Sequence, residues 1–212
     1  MPLTKLKLNQ FSGISLKKYT TLIMVSGSYN QLGKDEVKKI KKWVEEGNTL
    51  ITIAGGSSWA ISKKLINESL VESKKDSTHS RKNYVDAREF IGRERIGGVI
   101  LKADLDLTHP IAFGYNDNSI PVYKNNNVFI IKTNNDYSSV ATYSKNFHID
   151  GYISETNRED FIPGSASIII SKIGSGRVVV FADNPNFRGT WYGTNKLFLN
   201  AIFLGNNISV PT

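Results

Sequence analysis

The sequence predicts an α/β domain with a mostly parallel central sheet, helices on both faces and a small antiparallel addition. One observation is the continuous apolar run at residues 178–182, which is typical of a strand buried on both faces. Another is the alternation of strand-like and helix-like segments over residues 20–66, where short connections favour parallel, right-handed crossovers. In addition, residues 174–205 run in order through a glycine turn, that buried strand, a polar loop and an apolar helix.

The N-terminal half supplies the parallel part of the predicted sheet. Leu3, Leu6 and Leu8 suggest an entering strand. A helix is predicted where apolar residues recur every three or four positions before Gly47, which can end it. The predicted elements of this half are a strand at 20–25, that helix at 34–46, a strand at 50–54, a tight turn at 55–58 and a helix at 59–66.

The C-terminal half is less regular. Residues 67–83 contain few apolar side chains and predict a mobile surface loop. Short apolar runs separated by Asn-rich turns predict strands, and the glycines at 174 and 176 predict a hairpin. The predicted elements are strands at 99–105, 121–123, 128–131, 140–143, 168–170 and 178–182, followed by a helix at 194–204.

Composition indicates a globular chain. With 212 residues, 40% hydrophobic and 10% aromatic, one domain spanning residues 1–212 is expected, and we find no internal repeat or linker. There is no cysteine, which excludes disulfides, thiolate metal sites and a cysteine nucleophile. No stretch is long and apolar enough to span a membrane, and the first residues lack the order of a signal peptide.

The net charge is +8, with a pI near 9.5. A polyanion-binding module is one interpretation of this charge. The other is a lysine- and asparagine-rich surface without a dedicated site. The second is favoured because lysines alternate with acidic residues and do not form a stripe with aromatics, so no nucleic-acid partner is expected.

Three segments carry a resemblance to a known family: residues 181–198, the phrase Asp-Leu-Thr-His-Pro-Ile-Ala-Phe-Gly-Tyr at 106–115, and residues 50–59. Together they resemble the C-terminal module of bacterial secreted zinc carboxypeptidases of the carboxypeptidase A-like family. That resemblance implies a flavodoxin-like, class I glutamine amidotransferase-like three-layer sandwich. It also implies an upstream carboxypeptidase domain in the same chain and a secreted or periplasmic parent protein. Compared with that fold this fragment starts late, so that either the sheet lacks the fold's first strand or another segment takes its place.

The resemblance also implies where a catalytic elbow would lie. Class I amidotransferases present a cysteine on a sharp Gly-x-Cys-x-Gly turn, with a His-Pro-Glu after a later strand. Here the turn contains Gly55, Gly56, Ser57 and Ser58, and the later strand end reads Asp-Asn-Pro-Asn at residues 183–186. A serine without a base is too weakly acidic to attack at neutral pH, so we expect no glutaminase activity. We interpret Ser57 or Ser58 as a helix cap, and a small serine hydrolase using one of them is the alternative.

No metal site is expected in this segment. The family's zinc ligands are a His-x-x-Glu pair and a distant histidine. None of His79, His109 and His148 is followed three residues later by a glutamate, and none of them pairs with another at helical spacing. Zinc is therefore expected only in an upstream domain. His109 is interpreted as a turn or helix-cap residue.

The loop after residue 182 contains residue types that are typical of a binding site. It combines a planar cation, aromatic rings, amides and a carboxylate beyond the carboxyl end of a strand, where α/β folds build their sites. The alternative is that the aromatic residues only cover the sheet while the arginine pairs with a local carboxylate. We predict a non-catalytic interaction domain whose contact residues are Asp183, Asn186, Phe187, Arg188, Trp191 and Tyr192.

Overall fold

The computed structural model describes residues 2–72 and 83–211. It contains one sheet and helices on both of its faces. The strands are β1 (Thr21–Met24), β2 (Thr49–Ile53), β3 (Val99–Leu105), β4 (Ser119–Lys124), β5 (Ile130–Ile131), β6 (Ser139–Gly151), β7 (Ser165–Ile173) and β8 (Gly176–Phe181). The α-helices are α1 (Lys34–Glu45), α2 (Gly55–Ser62), α3 (Tyr84–Arg93) and α4 (Tyr192–Leu204).

The sheet is mixed and not mostly parallel, which corrects the prediction. Its order is β1-β2-β8-β7-β6-β3-β4, with β5 paired to β7. In the described residues only the β1–β2 and β2–β8 pairings are parallel, and the others are antiparallel. The crossovers at residues 20–66 indicated the parallel part correctly. Three of the antiparallel pairs, β3–β4, β6–β7 and β7–β8, join consecutive strands without a crossover helix, whereas β3–β6 and β5–β7 pair strands that are distant in sequence.

The hairpin of β7 and β8 is confirmed. Ile173 pairs with Gly176 and Ile168 with Phe181, so two residues turn the chain. Gly174 has a φ of 58°, and a Cβ there would lie 2.8 Å from the backbone oxygen of Glu45. Glycine is required for both reasons, because it allows the left-handed backbone and leaves room for the end of α1.

The N-terminal segment does not form the entering strand that Leu3, Leu6 and Leu8 suggested. It contains two 3-10 helices, at Leu8–Gly13 and Leu16–Lys18. These helices bury Phe11 and Leu16, and Trp43 Nε1 of α1 donates to Leu16 O at 3.0 Å. The segment therefore covers α1 and does not extend the sheet. Within the described part of the chain, β1 is an edge strand.

Two hydrophobic clusters flank the sheet. Alternate residues of β2 and β8 point to opposite faces, so Leu50 packs with α1 and α2 while Ile51 packs with α4. The α4 side also contains the short 3-10 helix Pro110–Ala112. Helices on both faces of the sheet agree with the layered α/β architecture that the sequence predicted.

The three predicted helices formed with shifted bounds, and α3 was not predicted. The helix at 34–46 is α1, and the helix at 194–204 is α4, which begins two residues earlier. The helix expected at 59–66 spans Gly55–Ser62 instead: the predicted tight turn is itself its first turn, and it ends four residues early. Of the surface loop expected at 67–83, residues 73–82 lie outside the described residues, and Leu70 forms an isolated bridge with Ile130.

No helix among the described residues is long and apolar enough to cross a membrane.

Candidate functional site

The carboxyl ends of β2 and β8 lie side by side. Ile53 and Phe181 are register partners, and Ala54 N donates to Phe181 O at 2.8 Å. The turn after β2 and the polar loop after β8 are therefore neighbours, as expected for a site at the carboxyl edge of parallel strands.

Ala54 is the strained residue of the turn. Its φ of 48° and ψ of −110° join the last residue of β2 directly to the first residue of α2. A non-glycine residue with this backbone costs about 1–3 kcal/mol and persists only where the surroundings impose it. A sharp strand-to-helix turn of this kind presents the nucleophile in elbow-type enzymes. The backbone strain of the turn thus lies at Ala54, one residue before the segment Gly55, Gly56, Ser57 and Ser58 at which we placed the elbow.

The glycines after Ala54 are required by packing. A Cβ at Gly56 would lie 2.5 Å from Met24 O, and a Cβ at Gly55 would lie 3.1 Å from Gly27 O. The first contact is with the end of β1 and the second with the loop that follows it, so the helix can begin this close to β1 only with glycine at these positions. The turn is therefore tightly packed against β1, and the side chain at its strained residue is a methyl group.

The two serines are inside α2 and do not cap it. Ser57 is fully buried; its Oγ donates to Phe181 O at 2.8 Å and lies 3.0 Å from Thr52 Oγ1. Ser58 is half-buried, and its N–H donates to Ala54 O at 3.0 Å. The cap interpretation is therefore wrong, since the helix already begins at Gly55 and its N-cap residue is Ala54.

Asp183 is the centre of a buried polar cluster. Lys124 Nζ lies 3.1 Å from Asp183 Oδ1, and the hydroxyls of Tyr143 and Ser167 each donate to Asp183 Oδ2 at 2.7 Å. Lys124 is fully buried, and its ammonium also donates to Val128 O at 2.6 Å. The four clustered side chains come from β4, β6, β7 and the loop just beyond β8.

Burial perturbs the partners of this carboxylate. Desolvation lowers the pKa of Lys124, and the charge of Asp183 acts in the opposite direction. Desolvation raises the pKa of Tyr143 well above its ordinary value, and the Asp183 charge raises it further. At neutral pH the tyrosine is therefore a neutral donor to the carboxylate.

The cluster offers little room for a ligand. A cavity of about 10 Å³ beside it is lined by Ser167, Asp183, Asn184 and Thr194, among others. This volume is about that of one water molecule. Asp183 is 4% exposed, and both of its oxygens accept hydrogen bonds from protein groups. We conclude that Asp183 organises the fold at this edge and is not a surface contact.

The sequence analysis missed Lys124, Tyr143 and Ser167. The alternation of β4 could have indicated the lysine. Every second residue of this strand is buried, namely Ile120, Val122 and Lys124, whereas Pro121 between them is exposed. Strand alternation therefore directs Lys124 inward. Nothing in the sequence indicates that Tyr143 and Ser167 meet the same carboxylate, because the pairing of distant strands determines this contact.

Pro185 allows the loop after β8 to be aligned with the His-Pro-Glu motif of class I amidotransferases. If Pro185 matches the proline of His-Pro-Glu, Asn184 and Asn186 stand where the histidine and glutamate would be. Asn184 Oδ1 accepts from Asn186 N at 3.0 Å, which closes a tight turn, and Asn186 Oδ1 is buried without a hydrogen-bond partner. An amide is not a base at neutral pH, so these positions supply none.

Phe187 and Trp191 attach the loop to β4. The rings of Phe187 and Tyr123 stack with centroids 3.8 Å apart, and Trp191 lies 5.9 Å from Tyr123. Trp191 Nε1 donates to Pro121 O at 3.1 Å. These two aromatic residues therefore cover the sheet, as the alternative interpretation proposed for them.

Arg188 and Tyr192 are the exposed members of the predicted face. Arg188 has a left-handed backbone with a φ of 52°, and its guanidinium lies 5.4 Å from the ring of Phe187. Tyr192 is 76% exposed at the start of α4. The structure thus brings the predicted residues together in one loop but leaves only these two of them fully accessible, while Asn186 is half-buried.

The described histidines have local structural roles. His109 Nδ1 accepts from Ile111 N at 3.1 Å, which confirms that His109 is a helix cap, and burial lowers its pKa. His148 Nε2 lies 2.8 Å from Gly151 O. His79 lies outside the described residues. Among the residues that the structure describes, no group of His, Asp or Glu side chains is arranged to hold a metal ion.

Comparison with solved structures identifies the architecture. A GMP synthase-type protein from Thermoplasma acidophilum matches over 91% of this chain and 75% of its own length, with a TM-score of 0.52 and 16% identity. PurLQS from Thermotoga maritima matches over 89% and 81%, with a TM-score of 0.50 and 16% identity. The fold is glutamine amidotransferase-like.

The remaining comparisons do not assign an activity to this chain. The chain also matches the cytoplasmic protein STM3548 from Salmonella typhimurium, with a TM-score of 0.50, 13% identity and coverage of 94% and 75%. No family model matches the chain, and no curated protein matches its sequence significantly. At these identities the likeness concerns the fold alone, and nothing in it links the chain to carboxypeptidases.

The backbone strain at Ala54 predicts that a glycine at this position stabilises the protein, whereas glycine normally destabilises a helix. Ala54→Gly should raise the free energy of unfolding by about 0.5–1 kcal/mol, because relief of the backbone strain exceeds the entropic cost of glycine. Ala60→Gly in the same helix, where the backbone is ordinary, should lower it by about 1 kcal/mol or more. Urea unfolding measures both values. Equal losses in the two variants would show that Ala54 is not strained.

The buried ion pair predicts that removing one partner destabilises the protein more than removing both. Lys124→Met should cost about 3–5 kcal/mol of unfolding free energy, because it leaves the Asp183 carboxylate buried without its counter-ion. The double change with Asp183→Asn should recover more than half of this loss, since no charge then remains. Lys38→Met, on the exposed side of α1, is the control and should change stability by less than about 0.5 kcal/mol. A single variant as stable as the control would contradict this account of the pair.

Proposed function

We propose that this chain is a non-catalytic, amidotransferase-like domain that binds a partner protein. The observation that carries the proposal is the elbow at Ala54, whose geometry is that of a nucleophile turn but whose side chain has no reactive group. A methyl group cannot attack a carbonyl, and Asn184 and Asn186 supply no base nearby. The alternative of a serine hydrolase gains no support, because Ser57 is buried with its hydroxyl already bonded.

The partner that we propose is a zinc carboxypeptidase domain upstream in the same protein, with zinc held there and the whole protein secreted or periplasmic. Support for this finer proposal comes from the resemblance of residues 106–115 and 181–198 to the C-terminal module of such enzymes. The contact residues are Arg188 and Tyr192. They are exposed, and they extend from a loop that Phe187 and Trp191 fix to β4, so little conformational entropy is lost on binding.

The absence of catalysis can be tested directly. We expect neither the native chain nor Ala54→Cys to hydrolyse glutamine or p-nitrophenyl esters above the buffer rate. A thiol placed at this turn still has no general base to accept and return the protons of acyl transfer, so we expect the variant to be inactive too. Release of glutamate and of p-nitrophenol measures the two reactions. Saturable turnover by the native chain that Ser58→Ala abolishes would favour the hydrolase.

The binding face can be tested by calorimetric titration with the separately produced carboxypeptidase domain. Arg188→Ala and Tyr192→Ala should each weaken association by about 1 kcal/mol or more, which is a fivefold or larger rise in Kd. The thermal midpoint of this domain should hardly change, because both side chains are exposed. Arg158→Ala and Tyr137→Ala alter exposed residues of the same types elsewhere and serve as controls. A double variant that unfolds and shows no separate effect on association would make the face structural only.

A further inference from the structure

The outer face of α4 carries exposed apolar side chains, with Lys196 as the one cation in the same row. Tyr192, Leu199 and Phe203 are 76%, 43% and 62% exposed, and their spacing of seven and four residues places them on one stripe. The opposite face of the helix buries Thr194, Leu197 and Ala201 in the core. Helices that are apolar on both sides are normally covered on both sides, so the outer face of α4 has the character of a contact surface.

A neighbouring loop widens this surface. Asn200 Nδ2 donates to Ile111 O and Phe113 O, and Lys196 Nζ donates to Gly114 O, which holds the loop alongside α4. Phe113 in this loop is 71% exposed. Together the four exposed apolar residues present on the order of 400 Å² of side-chain surface, which equals the largest patch of a typical monomer. We call the set of Phe113, Tyr192, Leu199 and Phe203 the α4 patch.

The two chain segments that carry the α4 patch contain cations and no carboxylate. Residues 107–116 and 184–212 have no aspartate or glutamate, and they include Arg188 and Lys196, the second of which lies in the same helical row as Tyr192 and Leu199. Two copies of this chain docked through the patch would bring these cations together without a carboxylate from either segment. A partner that carries carboxylates beside an apolar row would instead be complementary.

We infer that the α4 patch binds an amphipathic helix of a partner protein, with carboxylates of that helix against Arg188 and Lys196. Leu199 and Phe203 are four residues apart on α4, so they lie on one ridge of the kind that another helix packs against. A membrane surface fits less well, because the other side of α4 is fixed in the core and cannot present the charged polar face typical of interfacial helices. This inference rests on the proposed binding function and names the chemistry of its partner.

The test uses three fluorescein-labelled 20-residue peptides and the whole chain, with fluorescence anisotropy as the readout. One peptide has leucines on one helical face and glutamates elsewhere, the second replaces the glutamates with lysines, and the third scrambles the acidic peptide so that the leucine row is lost. The acidic amphipathic peptide should bind at least about tenfold more tightly than either of the others.

Variants then locate the binding. Leu199→Ser with Phe203→Ser should raise the Kd of the acidic amphipathic peptide about tenfold or more. Ile149→Ser with Tyr137→Ser changes two exposed apolar residues away from α4 and should leave the Kd within about twofold. If the first double variant has a lowered melting temperature, Phe113→Ser replaces it, because that residue is outside the helix. An unchanged Kd in patch variants that fold normally would overturn the inference.

Four further outcomes would also overturn it. Equal binding of the acidic and basic peptides would remove the charge argument. Self-association of the native chain in sedimentation, lost in the patch variant, would make the occupant a second copy. Binding to vesicles of phosphatidylcholine and phosphatidylglycerol, again lost in the variant, would make it a membrane. If Arg188→Ala with Tyr192→Ala still weakens binding to the carboxypeptidase domain while Leu199→Ser with Phe203→Ser does not, the inference fails and the proposed function stands.

Discussion

The ion pair of Lys124 and Asp183 fixes the shape of the sheet. In strand order β4 is separated from β8 by β7, β6 and β3, yet the lysine of β4 contacts a residue just beyond the end of β8. The sheet must therefore curl until its β4 edge returns to β8. Tyr143 and Ser167, from the strands between, donate to the same carboxylate. The curl brings these groups together. Because they are buried, removing any one of them leaves the others without a hydrogen-bond partner or counter-ion, which costs stability.

The same closure determines which loop residues remain free. Because β4 lies close to the end of β8, Phe187 stacks on Tyr123 and Trp191 donates to Pro121 O. These two contacts attach the loop to β4. Arg188 then lies at the outside of the turn with a left-handed backbone. The loop is thus one structural unit in which some side chains attach it and others stay exposed. Residue type alone cannot separate these two groups.

Local patterns in the sequence predicted the elements well, and they predicted their assembly less well. The run at 178–182 indicated β8 because β-branched residues on both faces require cover on both faces. The position of the elbow was misplaced, because Gly55 and Gly56 are conspicuous in the sequence whereas the strain lies on an ordinary alanine. The antiparallel half and the buried lysine depend on contacts between distant strands, which no short pattern contains.

The α4 helix shows why an apolar stripe is an incomplete guide to burial. The stripe of Leu197 and Ala201 correctly predicted a helix packed on the sheet. The residues outside that stripe include Leu199 and Phe203, and the core uses only one face of the helix. Core packing does not account for their exposure, and the strained turn at Ala54 gives no catalytic reason for it. Exposed apolar residues with Lys196 in their row are the observation that supports the proposed contact with another protein surface.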